Sequence, residues 1–390
     1  MNHVISAVGG MDGPVRVTVG IKAFNEEEHV AAAIASALAA VEPFGGEVIL
    51  GDCGSTDRTV EIARGFPIRI VQLTDLSRRS CGVGAQLAFQ HASGRYFYLL
   101  DGDMVIDPAF LRAAIPFLDS HPSVAGVGGR VEEVNVENEE FRIRVDAGSV
   151  EAHWRSGPVD RLDCGGLYRA VAISEVGYLA DPNLHSFEEF ELAARLRARG
   201  WTLVRLDIAA IRHFGHRTGG YGLLWRRLRS GYAGGAGETL RAAFGAPHLG
   251  IVLRRLGHVR NAFAIIAWWL LLSIAVVSAP GPAAKAAAVT ALVGLPLLAL
   301  VLRRRSLRLG TYSLVAWNVS TLGFIAGVMR RRVDPAAPLP AAEIPPCSVT
   351  ETASAPALRH LETTTRESSP DPRLTLPARD AVGKDTEAWT

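Results

Sequence analysis

At 390 residues, with 48% apolar side chains and a formal charge of +2, the chain is long enough to bury one or two sizeable cores. Its cysteines, Cys53, Cys81, Cys164 and Cys347, show no paired spacing, which argues against a disulfide framework or a cysteine zinc site and suits a reducing cytoplasm. The near-neutral total hides an uneven distribution, because from Arg205 to Arg260 ten arginines stand against two acids, Asp207 and Glu238.

Residues 1–14 read as a loose leader, and no basic segment precedes an apolar run there, so no signal peptide is expected. Residues 15–21 alternate and are β-branched, predicting a strand. Asn25 and the three glutamates after it open an alanine-rich helix to about Ala40, with Asn25 as N-cap and Glu28 at the third helical position. A second strand over 47–51 ends in Asp52-Cys53-Gly54-Ser55-Thr56-Asp57, where Ser55 or Asp57 caps a helix over 58–64. A third strand over 68–73 and a helix over 82–92 follow, and Gly94 turns the chain into Tyr96-Phe97-Tyr98-Leu99-Leu100. Five apolar residues in a row, three of them aromatic, predict a strand buried on both faces. This alternation implies an α/β domain with a mostly parallel sheet flanked by helices, whose ligands lie beyond the C-terminal strand ends. Phe24 and Asn25, Asp52, and the Asp101-Gly102-Asp103 triplet all fall at such ends. Two carboxylates emerging together from a buried strand suit a magnesium-type cation carrying phosphate oxygens, or else form a polar turn.

Farther on, Ser186-Phe187-Glu188-Glu189 spells a capping box, and Glu191 with Arg195 forms an i,i+4 pair on the same helix. His213 and His216 follow a strand expected over 202–211, and either can serve as a metal ligand, a phosphate contact or an ordinary surface histidine; His213 comes off the strand first. Residues 218–260 mix glycine, aromatics and arginine. Beside apolar stretches, that composition points to a membrane surface, and no nucleic acid is expected as a partner. Residues 262–279 and 286–302 are each about long enough to span a bilayer. Arg254, Arg255 and Arg260 before the first, and Arg303, Arg304 and Arg305 after the second, place both ends inside the cell. A third stretch, 311–329, contains Asn318, Ser320 and Thr321 and precedes three arginines; spanning, re-entrant and interfacial readings all remain open for it. From 333 onward the chain is rich in Pro, Ala, Ser and Thr without periodicity, as in a disordered tail.

Taken in order, Phe24-Asn25-Glu26-Glu27, the 52–57 segment, Ala92-Ser93-Gly94-Arg95-Tyr96, Leu100-Asp101-Gly102-Asp103, Cys164-Gly165-Gly166-Leu167-Tyr168-Arg169 and Glu188-Glu189-Phe190-Glu191-Leu192 resemble the motifs of family 2 glycosyltransferases of the GT-A fold, over about residues 15–217. The resemblance implies a nucleotide-diphosphate sugar donor (UDP- or GDP-linked) contacted by Phe24, Asn25, Glu26, Asp52 and Asp101. It implies Mg2+ or Mn2+ at Asp103 with Asp101; His213, from its place after the strand, is a further candidate ligand. Gly165, Gly166 and Glu188 would line the acceptor side, with Glu189 as general base. Three departures stand out: Cys53 replaces a second aspartate, Ala85-Gln86 stands near the place of an Arg-Asn pair with Arg78-Arg79 upstream, and Glu188-Glu189 replaces Glu-Asp.

Transfer from a nucleotide diphosphate needs charge neutralised on the departing diphosphate and a proton drawn from the incoming hydroxyl; one base with direct attack gives inversion. The expected protein is a multi-pass enzyme of the inner (plasma) membrane with a cytoplasmic catalytic domain, acting on a membrane lipid or lipid-linked acceptor in polysaccharide, glycolipid or cell-envelope synthesis. The alternatives are a polyprenyl-phosphate sugar synthase and a nucleotide-sugar-binding membrane protein without turnover.

Overall fold

The structure is a computed structural model that describes residues 17–134, 152–215 and 220–347. The first half alternates as expected: β1 (Val17–Ala23), α1 (Val30–Val41), β2 (Glu47–Asp52), α2 (Thr59–Ala63), β3 (Arg69–Leu73), α3 (Cys81–Gln90) and β4 (Tyr96–Asp101). Then come β5 (Met104–Ile106), α4 (Pro108–Ser120), β6 (Val124–Glu133), β7 (Gly157–Val159), β8 (Gly166–Arg169), α5 (Ala170–Glu175), α6 (Glu188–Ala198) and β9 (Thr202–His213). The strands form one sheet in the order β10-β3-β2-β1-β4-β8-β6-β9-β5, with β7 paired to β9 and β10 (Ala341–Ile344) arriving from far down the chain. The run β3-β2-β1-β4 is parallel. Beyond β4 the sheet is mixed, since β8 lies antiparallel to both β4 and β6.

The period-2 geometry of β4 explains its uninterrupted apolar run. Tyr96, Tyr98 and Leu100 pack into the core that contains Ile34 of α1 and Phe110 of α4, whereas Phe97 and Leu99 face the core under α3 and α6.

Several local expectations give way to tertiary contacts. Asn25 does not cap α1, which begins at Val30; its backbone is left-handed (φ 58°) and its side chain accepts from the Thr56 amide at 2.8 Å instead. Between the two candidate caps of α2, Asp57 takes the Thr59 amide, while the Ser55 hydroxyl goes to Asp52. Ser186 does not form the capping box. Its hydroxyl donates to the Tyr232 carbonyl, Phe187 occupies the N-cap position at φ 67°, and Glu189 reaches elsewhere. The Glu191–Arg195 pair forms as read, at 2.8 Å and buried.

After the sheet, the basic segment folds into α7 (Gly220–Ser230), α8 (Gly235–Ala243) and α9 (Leu249–Arg255). Three helices long and apolar enough to cross a membrane follow: α10 (Gly257–Ser278), α11 (Gly281–Arg304) and α12 (Leu307–Met329). The stretch just after them departs from the expected tail. Leu339 is buried, exchanging backbone hydrogen bonds with the Gln90 side chain, and β10 adds antiparallel to β3. Backbone pairing to a waiting sheet edge needs no side-chain periodicity, which is why composition alone does not reveal it. His216, the leader and residues 348–390 lie outside the described residues.

Candidate active site

Strand register sets the floor of the site. Ala23 lies opposite Asp52 and Lys22 opposite Asp101, so the C-terminal ends of β2, β1 and β4 are level. Asp52 is fully buried and occupied locally: it accepts from the Gly54 and Ser55 amides, the Ser55 hydroxyl and Gln72. Its part is to fix the 52–57 loop, which in turn holds Asn25 through Ser55 and Thr56. Phe24 stays 39% exposed beneath the guanidinium of Arg79, 4.1 Å from the ring centroid. Arg79 also donates to the Cys53 and Gly54 carbonyls. It is a bracing residue that no motif flags, because its partners belong to two other loops.

The second group is acidic. β5 pairs with β9 so that Met104 faces His213, and β6 pairs with β9 so that Glu133 faces His213. His213 therefore stands between two carboxylates, Asp103 at 3.3 Å from Nε2 and Glu133 at 2.6 Å from Nδ1. Burial alone would lower the imidazole pKa, but hydrogen bonds donated by the ring to both carboxylates push it up to about 9. Glu26 lies against Gly102, where an added Cβ would sit 2.8 Å from its Cγ. Burial first, then Asp103 and Asp101, push the Glu26 carboxyl up to about 8. The Asp101 carboxyl is also raised by burial, against the pull of Lys22. Carboxyls whose charged forms are disfavoured first by burial and then by one another would be relieved by a cation, and oxygen donors beside an imidazole suit a divalent one. Cys164 comes within ligand distance of Glu133 and His213 as well. Neither Glu133 nor Cys164 is visible in this role from the sequence, since sheet pairing alone brings them to His213.

The third group faces across from these acids. Asp163, Cys164 and Gly165 are consecutively left-handed (φ 48°, 58° and 87°), a tight turn that presents the Gly165 amide to Glu189 at 3.2 Å. A Cβ at Gly165 would fall 2.8 Å from the Leu99 carbonyl oxygen, so glycine is required there. Gly166 follows as the first residue of β8. Burial pushes the Glu189 carboxyl up to about 8, opposed by Lys22. Glu188, one residue earlier, pairs with Lys22 at 2.5 Å, and Lys22 also meets Asp101 at 3.1 Å. Burial works against charge on Lys22, yet Asp101 and Glu188 hold its ammonium well above the usual range. The candidate site residues thus join in one connected region; Lys22 and Glu133 are members that sequence reasoning missed, while Arg79 and Cys164 stood in the quoted segments without a role of their own.

Residues 18–170 match the family model described as glycosyl transferase family 2. Among curated proteins, glucomannan 4-beta-mannosyltransferase 2 of Arabidopsis thaliana is 28% identical over 225 residues, covering 52% of this chain and 41% of that protein. Glucomannan 4-beta-mannosyltransferase 7 of the same plant is 31% identical over 121 residues, covering 29% and 21%. The chain thus spans less than half the length of these relatives. Among solved structures, a mannosyltransferase from Pyrobaculum calidifontis in complex with GDP-Man and Mn2+ superimposes with a TM-score of 0.55 at 18% identity, covering 80% of this chain and 88% of that one. At that identity the likeness speaks for the fold. The motif-bearing strands and the ordered acids at their ends agree with the family match, so residues 18–170 are similar to glycosyl transferase family 2, within a mixed sheet followed by C-terminal apolar helices.

Proposed function

We propose that the protein is an inverting, metal-dependent glycosyltransferase that moves a sugar from a nucleotide-diphosphate donor to a hydroxyl on a membrane-associated acceptor. The observation that carries this reading is the placement of Glu189. Its carboxylate is set by the Gly165 amide, while its neighbour Glu188 is tied through Lys22 to Asp101 at the donor end.

In this reading Phe24, Asn25, Glu26, Asp52 and Asp101 shape the nucleotide side of the cleft, either directly or through the loop they brace. Asp103 and His213, with Asp101 at hand, would hold Mg2+ or Mn2+, which when bound offsets charge on the diphosphate. Glu189, ionised, accepts the acceptor's proton as the hydroxyl oxygen forms its bond to the anomeric carbon. The bond to the diphosphate oxygen breaks from the opposite face, so configuration inverts. Gly165 holds that base in place, and Lys22 favours its charged form.

The apolar helices support a lipid or lipid-linked acceptor, with α10 and α11 as a membrane-crossing hairpin and the catalytic region on the cytoplasmic side of the inner membrane. Arg254, Arg255 and Arg260 before α10, and Arg303, Arg304 and Arg305 at the end of α11, support that orientation.

The test is purified full-length protein in detergent, given a panel of UDP- and GDP-sugars with Mg2+ or Mn2+ and lipid-linked saccharide acceptors. Nucleoside diphosphate released in an Asp103-dependent manner supports the proposal. Donor binding without turnover under every acceptor condition overturns it in favour of a non-catalytic binder.

A further inference from the structure

We infer that α12 does not cross the membrane but lies in the lipid leaflet nearest the catalytic region, along the layer made by α7 and α8. This rests on the reading of α10 and α11 as a membrane-crossing hairpin.

Parity carries the argument. The start of α10 is fixed to the catalytic region, because Val259 and Ala262 share a core with Phe190 and Ala194 of α6. The chain after α12 is fixed there too. Arg332 pairs with Asp181 at 2.8 Å, the Val333 amide donates to Asn183, and β10 then joins the catalytic sheet at β3. A chain that leaves one side of a bilayer and returns to it crosses an even number of times. With three helices apolar enough to cross, one of them does not.

The contacts identify α12 as that helix. Its mean hydropathy is 1.3 against 2.0 and 2.1 for α10 and α11, and 33% of its most apolar stretch is buried against 11% and 6%. Near its start, Tyr312 packs edge-on against Tyr221 of α7, with ring centroids 5.3 Å apart. Near its end the backbones touch. A Cβ at Gly327 would lie 2.1 Å from the Gly234 carbonyl oxygen, and one at Gly237 in α8 would lie 2.0 Å from that of Phe324. Both ends of a helix of 23 residues, about 34 Å long, therefore rest on segments that precede α10. α7 carries Arg226, Arg227 and Arg229 and cannot sit in hydrocarbon. On the other face, Val315, Leu322 and Met329, seven residues apart and hence aligned, are 37%, 52% and 79% exposed, an apolar stripe suited to acyl chains.

The experiment uses the full chain with Cys81→Ser and Cys347→Ser, which leaves the buried thiols Cys53 and Cys164. Single cysteines are placed by Pro280→Cys, Ser306→Cys and Asp334→Cys, and a membrane-impermeant maleimide is applied to intact cells and to inverted membrane vesicles. Labelling of position 280 from one side, and of 306 and 334 from the other, is expected. If 334 labels with 280, α12 crosses and the inference fails. If all three label from one side, the hairpin reading itself fails. Nitroxides at 315, 322 and 329, in proteoliposomes of phosphatidylethanolamine and phosphatidylglycerol, give a second readout. A crossing helix spreads the outer two by about 21 Å in depth, whereas the inferred arrangement keeps them within less than half of that.

Discussion

Lys22, at the end of β1, donates to Glu188, in the first turn of α6, at 2.5 Å across 166 residues of sequence. Because Lys22 also meets Asp101 in the neighbouring strand, one ammonium joins the acidic end of β4 to the helix that carries Glu189. Both ends of the link are well shielded, with 15% of the Lys22 side chain and 8% of the Glu188 side chain exposed.

Removing that cation leaves buried carboxylates without compensation. Lys22→Met is expected to cost about 3 kcal/mol of stability and to lower the rate of sugar transfer. Thermal unfolding of the variant beside wild type checks the first, and an unchanged melting temperature would rule the link out as a structural tie.

For the proposed base, Glu189→Gln is expected to reduce transfer to a hydroxyl acceptor by about 10²- to 10⁴-fold. Since burial pushes the Glu189 carboxyl up to about 8 and the base works ionised, the wild-type rate rises with pH toward about 8 and then levels. An initial-rate profile that is flat between pH 6 and 9 would argue against Glu189 as base.

The same carboxyl should weaken the fold as it ionises. Its folded pKa lies above its usual value, so the native state holds a proton that the unfolded chain has lost, and stability falls as pH rises from the ordinary carboxylate range through about 8. Glu189→Gln removes this term. Its melting temperature is expected to exceed that of wild type at pH 9 and to approach it at pH 5, as scanning calorimetry at the two values would reveal.

Asp103→Asn, or chelation with EDTA, is expected to abolish the Mn2+-dependent part of nucleoside diphosphate binding while leaving the fold intact. Calorimetric titration with UDP and GDP, with and without Mn2+, reads this directly. Equal affinity in both conditions would remove the metal from the donor site.

In the apolar helices, Gly327→Ala places a methyl against the Gly234 carbonyl and is expected to cost about 2 kcal/mol, whereas Gly294→Ala, with open space around it, should leave the detergent-solubilised protein as stable as before. Melting curves of the two variants, differing only in where the methyl lands, check the packing of α12 on the segment before α8.

Much of the site was legible wherever a residue's role is local. The Tyr96 to Asp103 segment declares a buried strand that ends in acids, and His213 is marked by its place at the C-terminal end of β9. Lys22, Glu133 and Arg79 were not legible, because each matters only through a partner brought near by strand register or loop folding; Glu133 meets His213 across 80 residues. Ser186 misled in the opposite way. Its local pattern is a sound capping box, but the close approach of Gly235 and the Tyr232 carbonyl claim the hydroxyl first. β10 escaped notice because four residues amid prolines offer no alternation, and its place is decided by the exposed edge of β3.

The return of β10 to that edge gives the catalytic body two moorings to its apolar helices, one through α9 and one through the strand. A body hung on a single linker can swivel and lift, whereas two separated attachments remove most of that freedom. Under the proposed function, the height of Glu189 above the lipid is then a fixed dimension, and acceptors would be selected by how far their hydroxyl projects from the bilayer as well as by their chemistry.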